Sequence, residues 1–482
     1  MIHRIRNVCL AAGIALACLS FAGATIHAAD AKPNIVLIVA DDFGYADLSI
    51  HGSKDIPTPQ IDSIASGGVR CTHGYVSAPQ CSPTRAGLLT GRYQQRFGHE
   101  HNSAKLDSSL ELSETTIAER LKAAGYATGL VGKWHLGTAD KYHPLSRGFG
   151  EFFGFVGGAN PYLPAGPAGV VPRIMKGREP AEEKEYLTDA FGREAAAFIE
   201  RHKQEPFFLY LAFNAPHGPL QATEKYLSRF AKIEDEKRRT YAAMVSAMDD
   251  AIGRVLEKLR STGIEENTLV FFISDNGGPT DVNASRNDPF RGVKGELREG
   301  GIRSPFFMQW KAKLPAGIVY DQPVISLDIH PTVLSAVRLS PPAHRKLDGV
   351  DLLPHLTGEK KESPHDTLYW RFNFPPGRAE RHKWAIRQGN WKLFTDIVTN
   401  RDKTDQATGD DSLKLIDLSQ DVTETNDLSK QHPERVLAMT AVWKKWSSEL
   451  PEVGAGEAGK GEPKAEKKKS DKKDKKKNKK KK

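Results

Sequence analysis

The chain has 482 residues and a formal net charge of +9 at pH 7, a length sufficient for one large domain or two with a sizeable buried core. The basic character lies at the ends, since residues 452–482 hold 14 Lys against 6 acidic residues and the first 29 residues hold two Arg. Subtracting +8 and +2 from +9 leaves a body near neutrality at −1. A neutral body without a recognisable binding module argues against nucleic acid as a partner.

The first 29 residues have the three parts of an export signal. Arg4 and Arg6 supply the positive region, residues 8–21 form an apolar run too short to span a membrane, and small residues precede a cleavage site placed after Ala29. The residues before Cys18 resemble a lipoprotein signal only weakly, so lipid anchoring is not expected. No later stretch is long and apolar enough to cross a bilayer. We therefore expect a mature protein in the periplasm or outside the cell.

Four short apolar runs, each followed directly by polar residues, predict strands that are buried on both faces. Helical patterns separate the runs, and this alternation predicts an α/β fold with a large, mainly parallel sheet flanked by helices. In such sheets, ligands bind at the carboxyl ends of the strands. The runs are NIVLIVA before Asp41 and Asp42, ATGLVG before Lys133 and His135, FFLYLAF before His217, and LVFFIS before Asp275 and Asn276.

The acidic residues at this edge predict a metal site. Asp41, Asp42, Asp275 and Asn276 offer only oxygen ligands, which suit Ca²⁺ or Mg²⁺ better than zinc. A single Asp after a strand often caps a turn, but two such pairs at one sheet edge favour a metal. Lys294 lies in the Gly-rich stretch FRGVKGELREGGIRSP, and that pattern alone predicts an exposed side chain.

The stretch QCSPTRAGLLTGR, residues 80–92, predicts a short helix that Ser82 caps and in which Pro83 occupies the first turn. Cys81 would lie at the helix mouth, where free N–H groups favour negative charge. Arg85, one turn later, can reach back to the same point. The stretch therefore predicts an anion pocket around a reactive group, while a disulfide with Cys71 is the alternative in an oxidising compartment.

Several motifs occur in an order that resembles the type I sulfatase family, which is related in fold to alkaline phosphatase. The similarity covers roughly residues 33–309, and it includes the C-x-P-[ST]-R signature as Cys81-Ser82-Pro83-Thr84-Arg85. The other matching motifs are NIVLIVADDFGYADLS, TPQIDSIASGGVR, GKWHLG, APHGPL, SDNGG and KGELREGGIRSPF.

The resemblance implies that a dedicated maturase oxidises Cys81 to Cα-formylglycine before the chain folds, and that the hydrated aldehyde is the nucleophile. Cys71 is then left unpaired, so the resemblance argues against the disulfide. It also implies a role for each remaining site residue. Asp41, Asp42, Asp275 and Asn276 would hold Ca²⁺ with residue 81, Arg85 and Lys133 would hold the hydrate, His135 would take its proton, and His217 and Lys294 would contact the sulfate and the leaving oxygen.

One segment departs from the family pattern. Some members carry a sulfate-binding Ser after the segment GFGEFFG, where this chain has Gly157-Gly158-Ala159-Asn160. This departure leaves the substrate contacts there undefined. The residues expected to line the substrate cleft are His99, His101, Asn102 and Tyr162.

The alternation of strands and helices fades after about residue 344. TLYWRF, KWAIRQGNWKLF and LKLIDL predict antiparallel strands, and PERVLAMTAVWKKWSSEL predicts an amphipathic helix. The expected units are a signal at 1–29, a catalytic domain at 30–344, a C-terminal subdomain at 345–451 and a Lys-rich tail at 452–482. We expect Trp370, Trp384 and Trp391 to lie in the core of the subdomain rather than to form sugar platforms.

The sequence therefore predicts an exported hydrolase that removes sulfate from a sulfated glycan. The first alternative is a phosphoesterase of the same superfamily, although the usual Ser or Thr nucleophile and a second, His-rich metal site are not evident. The second alternative is a non-catalytic protein that binds sulfated glycans, which requires an unmodified Cys81. A tail rich in Lys is compatible with adhesion to polyanions or with a purely solubilising role.

Overall fold

The computed structural model describes residues 32–102, 109–164, 173–343, 345–372, 383–396, 398–399, 407–408 and 413–452. The predicted export signal and nearly all of the Lys-rich tail lie outside the described residues. Within the described part, none of the helices has the length and apolarity that a bilayer-spanning segment needs. The predicted domain boundaries stay predictions.

Eighteen strands form one large sheet, one small sheet and two short ribbons in the described part of the chain. Their bounds are β1 Asn34–Ala40, β2 Val69–Cys71, β3 Gly74–Tyr75, β4 Ala127–Lys133, β5 Glu151–Phe155, β6 Ile174–Lys176, β7 Glu179–Ala181, β8 Phe207–Ala212, β9 Thr268–Ser274, β10 Phe306–Gln309, β11 Ile318–Tyr320, β12 Val324–Ile325, β13 Thr367–Phe372, β14 Lys383–Gln388, β15 Trp391–Thr395, β16 Val398–Thr399, β17 Ala407–Thr408 and β18 Leu413–Asp417.

Eleven α-helices accompany these strands in the described residues. Their bounds are α1 Pro59–Ser66, α2 Cys81–Thr90, α3 Ile117–Ala123, α4 Leu187–His202, α5 Glu224–Leu227, α6 Glu236–Ser261, α7 Thr280–Asn283, α8 Glu299–Ile302, α9 Ile329–Ala336, α10 Leu353–Leu356 and α11 Pro433–Ser447.

The large sheet has ten strands in the order β11-β2-β10-β9-β1-β8-β4-β5-β6-β7. Its central strands β9, β1, β8, β4 and β5 are parallel, whereas β10 runs antiparallel to both of its neighbours. The four predicted strands are β9, β1, β8 and β4, which are adjacent in this parallel block. They are buried on both faces, which explains why their sequences are continuously apolar rather than alternating.

Two hydrophobic layers cover the sheet, one on each face. Successive residues of β1 point to opposite sides, so that Val36 and Ile38 join the layer beneath α1, α4 and α6, while Ile35 and Leu37 join the layer beneath α2, α3 and α9. The prediction of a mainly parallel sheet with helices on both faces is confirmed.

A second sheet lies in the C-terminal part, with four antiparallel strands in the order β13-β14-β15-β18. Helix α11 packs against β14 and β15, as the sequence predicts. Trp370 is fully buried and donates its indole N–H to the carbonyl of Val76 in the larger domain. Trp384 and Trp391 are partly buried, and Trp384 stacks on Trp443 of α11 at 4.5 Å between ring centroids. These tryptophans therefore pack within the subdomain and against the large domain.

Strand register places the polar residues beside one another. Ala40 pairs with Ser274 across β1 and β9, so the next residues, Asp41 and Asp275, are level. Lys133 is the last residue of β4, two strands away from β1. The carboxyl edge of the parallel block therefore gathers residues that are far apart in the chain. The hydrogen bond from the Asn276 amide to Asp42, for example, joins residues 234 positions apart.

Candidate active site and metal centre

An acidic group lies at the centre of this edge. One possible ligand atom from each of Asp41, Asp42, Cys81 and His217 lies within 4.8 Å of the other three. Asp42 has a left-handed backbone with φ of 63°, a conformation that costs free energy in a non-glycine residue and often occurs at functional sites. The strained turn directs two consecutive carboxylates to the same place.

The remaining oxygen ligands predicted from the sequence are part of the same group. Asn276 donates its amide N–H to Asp42 Oδ1 at 2.7 Å, and its own Oδ1 is buried without a hydrogen-bond partner in the described part of the chain. A buried amide oxygen with no donor is costly unless another group satisfies it. Because the other groups here are carboxylates, an oxygen-preferring cation fits this donor set.

Arg85 contacts the carboxylate of Asp275 rather than the thiol of Cys81. Its fully buried guanidinium donates from Nε to Asp275 Oδ2 at 2.9 Å and from Nη1 to the backbone carbonyl of Lys133 at 3.2 Å. Tyr210 also lies within hydrogen-bond distance of Nη1, at 3.5 Å. Sequence reasoning did not predict Tyr210, and it also did not predict that Arg85 would orient a carboxylate.

Two lysines contact the acidic group directly. Lys133 Nζ lies 2.5 Å from Asp41 Oδ2, and both side chains are fully buried. Lys294 Nζ lies 2.5 Å from Asp42 Oδ1 and 3.0 Å from Cys81 Sγ. The expectation of an exposed Lys294 is therefore wrong, because the Gly-rich stretch folds back over the site and leaves only 12% of this side chain accessible.

The helix mouth at Cys81 is not a free anion site. The N–H of Ser82 is donated to Asn102 Oδ1 at 3.0 Å, and Pro83 has no N–H to offer. The structure therefore limits the predicted attraction of the helix N-terminus for an anion, because the N–H of Ser82 is already engaged, and the side chain of Lys294 brings positive charge to Cys81. Cys71 and Cys81 are both buried free thiols, so the disulfide alternative is not formed.

His99 is buried rather than facing the cleft. Its Nε2 lies 2.7 Å from Ser82 Oγ, and the same hydroxyl donates to the backbone carbonyl of His135 at 2.7 Å. His135 has a left-handed backbone with φ of 58°. This contact holds the strained turn of His135 close to the residue that follows Cys81. Of the four residues expected in the cleft, His99 and Asn102 thus contact Ser82, the residue that follows the nucleophile.

Tyr162 also differs from the expectation. It is fully buried, and its hydroxyl lies 2.5 Å from the carbonyl of Asn214 and 2.7 Å from that of His217. The His217 ring has its Nδ1 2.6 Å from the carbonyl of Gly218, which leaves Nε2 directed to Asp42 Oδ2 at 3.6 Å. Tyr162 therefore fixes the segment that carries His217.

The segment that lacks the expected serine lies against His135. A Cβ atom added to Gly158 would be 2.6 Å from His135 Nε2, which is closer than real Cβ contacts. His135 Nδ1 is buried without a partner in the described residues. A side chain at position 158 would therefore displace this ring, and glycine leaves its Nε2 side open.

The surroundings shift the pKa values of these groups in different directions. Burial alone would raise the pKa of Asp41, but the charges of Lys133, His217 and Arg85 outweigh burial and hold it well below its usual range. Burial and the neighbouring carboxylate of Asp41 raise the pKa of Asp275 to about 6. A bound cation would stabilise the neighbouring carboxylates of Asp41 and Asp275 in their ionised forms.

The histidine at the end of β4 is held in its neutral form. Burial lowers the pKa of His135 well below its usual value, and the charges of Lys133 and Arg85 lower it further. A neutral imidazole with an unpaired nitrogen can accept a proton. The lowered pKa thus keeps the lone pair of His135 available at neutral pH, and it also makes this imidazole a weaker proton acceptor than an exposed histidine.

Comparison with known proteins agrees with this site. Residues 33–339 match the family model Sulfatase, and residues 294–450 match the model N-sulphoglucosamine sulphohydrolase, C-terminal. The N-acetylgalactosamine-6-sulfatase of Mus musculus is 35% identical over 417 residues, which cover 80% of this chain and 78% of that protein. An uncharacterised sulfatase of Escherichia coli (strain K12) is 33% identical over 399 residues, with coverages of 72% and 70%.

A solved structure agrees over most of the chain. The crystal structure of Ps i-CgsB in complex with k-i-k-neocarrahexaose has a TM-score of 0.80 at 35% identity, covering 88% of this chain and 94% of that one. The described fold, the clustered residues of the C-x-P-[ST]-R segment and the matched family models agree with one another. The chain belongs to the sulfatase family of the alkaline phosphatase superfamily, and it is a sulfuric ester hydrolase.

Proposed function

We propose that this protein is an exported glycan sulfatase in which residue 81, converted to Cα-formylglycine, attacks the sulfur of a carbohydrate sulfate ester. The observation that carries the proposal is the position of Cys81. Its Sγ lies 3.3 Å from Asp41 Oδ1 and 3.0 Å from Lys294 Nζ, at the centre of a buried group of carboxylates and ammonium groups. The hydrate of formylglycine supplies an oxygen nucleophile at this position.

The metal ligands in this proposal are Asp41, Asp42, Asp275 and Asn276, together with residue 81. Their donor atoms are oxygens, which favours Ca²⁺ and also suits Mg²⁺. When bound, such a cation polarises the sulfuryl oxygens and stabilises the charge that develops on them. Arg85 keeps Asp275 oriented through its 2.9 Å hydrogen bond.

Basic side chains beside residue 81 would act on the sulfate group and the leaving oxygen. Cleavage of a sulfate ester develops negative charge on the departing alkoxide and on the sulfuryl oxygens. Lys294 and His217 would donate to these oxygens, and a donor fixed before the reaction is worth about 100-fold to 1,000-fold in rate. His135 would take the proton of the second hydroxyl of residue 81, which expels sulfate and regenerates the aldehyde.

Three observations support a sulfated carbohydrate outside the cytoplasm as the substrate. One relative is named for the 6-sulfate of N-acetylgalactosamine, and one structural relative is described in complex with a neocarrahexaose. The first 29 residues have the pattern of an export signal. The 14 Lys of residues 452–482 suit a polyanionic partner.

The first experiment measures the mass of the peptide that contains residue 81 after production with a formylglycine-generating maturase. The expected loss is about 18 Da relative to the cysteine form, because the thiol becomes an aldehyde. An unmodified thiol or a disulfide with Cys71 would overturn the proposed nucleophile and would favour the binding protein.

The second experiment compares turnover of matched sulfate and phosphate monoesters, and then of sulfated oligosaccharides. We expect sulfate esters to have the higher kcat/KM. A preference for the phosphate ester would favour a phosphoesterase. Turnover of simple sulfate esters with no turnover of any sulfated saccharide would refute the carbohydrate substrate and leave the chemistry in place.

A further inference from the structure

We propose that Lys383, on strand β14 of the small sheet, is a positioning residue that holds Lys294 against the nucleophile. The inference rests on the proposed function, because it concerns the same reaction centre. Lys383 lies 89 positions after Lys294 in the chain, and its sequence context gives no sign of a catalytic role. The C-terminal subdomain would then contribute directly to the alignment of the active site.

The peptide that follows Lys294 is held from two sides. The N–H of Gly295 donates to the carbonyl of Pro79 at 2.9 Å, two residues before Cys81. The carbonyl of Gly295 accepts a hydrogen bond from Lys383 Nζ at 3.2 Å. The backbone beside Lys294 is thus fixed both to the segment of the nucleophile and to the small sheet.

The backbone at this position has little stiffness of its own. Gly295 has φ of 87° and Gly292 has φ of 92°, and glycine adopts these values more easily than other residues and also leaves them more easily. A lysine side chain attached to such a segment depends on external contacts to keep its ammonium group aligned. The ion pair with Asp42 holds the ammonium group itself, and the hydrogen bond from Lys383 helps to hold the backbone beside it.

The burial of Lys383 argues for a specific task. Its side chain is fully buried, and burying an ammonium group without hydrogen bonds is costly. An apolar residue of similar length would fill the space at a lower cost in a purely structural role. The charged end instead reaches a backbone carbonyl next to a residue that contacts Cys81 Sγ.

The far end of the Lys294 segment is fixed independently of Lys383. Arg298 donates to both carboxylate oxygens of Asp396 at 2.7 and 2.8 Å. Lys392 Nζ contacts Glu299 Oε1 at 2.8 Å and Glu424 Oε1 at 2.7 Å. Loss of Lys383 is therefore expected to displace the peptide at Gly295 without releasing the whole segment.

The test is a double-mutant cycle between Lys383→Met and Lys294→Met in the matured, metal-loaded enzyme. Lys383→Met should lower kcat/KM about 10-fold to 100-fold, because a displacement near 1 Å of an aligned group costs about that much. Lys383→Arg, which keeps a donor, should recover part of the loss. In the Lys294→Met background, Lys383→Met should have almost no further effect on kcat/KM.

Arg371→Met is the matched control. Arg371 is also a buried cation of the small sheet, on β13, but it donates to Glu100 at 3.1 Å and so braces another segment. Its effect should multiply with that of Lys294→Met. If the effects of Lys383→Met and Lys294→Met multiply in the same way, the positioning role is overturned.

A binding measurement separates this inference from the proposed function. The same cycle is measured by calorimetry with inorganic sulfate, which requires no turnover. Lys383→Met should weaken sulfate binding only when Lys294 is present. If sulfate binding shows the coupling between Lys383 and Lys294 but no sulfate ester is turned over, only the proposed function is refuted. If sulfate esters are turned over but the coupling is absent, the role of Lys383 is refuted. If Lys383→Met does not fold, Lys383→Arg and Lys383→Gln complete the cycle.

Discussion

The protein buries charge in two places, and the two clusters are built differently. The edge cluster consists of Asp41, Asp42, Asp275, Lys133 and Lys294. The inter-sheet cluster consists of Glu299, Lys392 and Glu424, between the large domain and the small sheet. The edge cluster includes adjacent carboxylates and lies beside Asn276, whose Oδ1 has no partner among the described residues.

In the inter-sheet cluster every carboxylate oxygen has a donor. Glu299 accepts from Lys392 and from the hydroxyl of Tyr75 at 2.7 Å, while Glu424 accepts from Lys392 and from the N–H of Glu299 at 2.7 Å. Glu299 and Lys392 are fully buried. Buried charge alone therefore does not mark a functional site. The edge cluster differs by its adjacent carboxylates, by the unpaired amide oxygen of Asn276 and by the thiol of Cys81 beside them.

The largest expected effect is the loss of the nucleophile. Cys81→Ala should lower kcat by at least about 10,000-fold, since removing a nucleophile leaves only binding and electrostatic stabilisation. Its unfolding midpoint should stay close to that of the wild type, since alanine also fills a helical position. Steady-state kinetics and circular dichroism measure both quantities. Activity within about 10-fold of the wild type would contradict the assignment of residue 81.

The next effect distinguishes the two clusters by metal dependence. Removal of divalent cations with a chelator should abolish turnover, and Ca²⁺ should restore it. At a concentration of 100 Kd the ion should also stabilise the fold by about 2.7 kcal/mol. Asp42→Asn should weaken Ca²⁺ binding at least about 10-fold, while Glu424→Gln in the inter-sheet cluster should keep the wild-type affinity. Equal losses in both variants would contradict the distinction between the clusters.

Stability should depend strongly on the inter-sheet cluster. Lys392→Met leaves two buried carboxylates without their common partner, and breaking such a pair costs about 3–5 kcal/mol. Lys414→Met is the control, because Lys414 pairs with Asp427 at 3.4 Å in a partly exposed position of the same sheet. This control should cost less than about 1 kcal/mol. Urea unfolding measures the free energy of unfolding of both variants. Equal losses would contradict a stabilising role for the buried ion pairs of the inter-sheet cluster.

A smaller effect concerns the pH dependence of stability. Burial raises the pKa of Glu424 to about 7, despite the opposing charge of Lys392, and the nearby Glu299 contributes to the rise. Between pH 4.5 and 7 the unfolded chain has therefore lost a proton that the folded protein keeps. The contribution of Glu424 to stability decreases over this range, by at most about 1.4 kcal/mol per pH unit. Glu424→Gln should remove this decrease, and an unchanged pH profile in urea unfolding would contradict it.

The smallest effect is expected far from both clusters. A chain without residues 452–482 should turn over a small sulfate ester at the wild-type rate. For a sulfated polymer, KM should rise about 3-fold to 10-fold at low ionic strength, and the difference should disappear at high salt. Kinetics at two salt concentrations measure this. A tail that serves solubility alone would leave the KM for the polymer unchanged.

The edge cluster was largely predictable because its residues directly follow apolar runs. Asp41, Lys133 and Asp275 each come at the end of a buried strand, and parallel strands bring these ends to one edge. Lys294 was misjudged in its exposure, because its own segment is a Gly-rich turn with no apolar pattern. Its burial depends on contacts with Asp42 and Cys81, which local sequence cannot reveal.

The roles of the residues that support the site could not be predicted in the same way, although Asn102 and Tyr162 were expected near the cleft. Asn102 caps the helix of Cys81, Tyr162 fixes the His217 segment, and Lys383 holds Gly295. Each of these is an ordinary residue in its local sequence. Each acquires its role from a partner that is 20, 55 or 88 positions away in the chain.

Strand periodicity and the C-x-P-[ST]-R segment are local properties of the chain, so the type of sheet, the family and the residues at the carboxyl edge could be predicted from them. The side chains that support the site from other parts of the chain, and the buried charges that are already fully paired, became visible in the folded protein. The physical reason is that a hydrogen bond or ion pair depends on distances of a few ångströms, and strand register and domain packing, rather than neighbouring residues in the chain, set those distances.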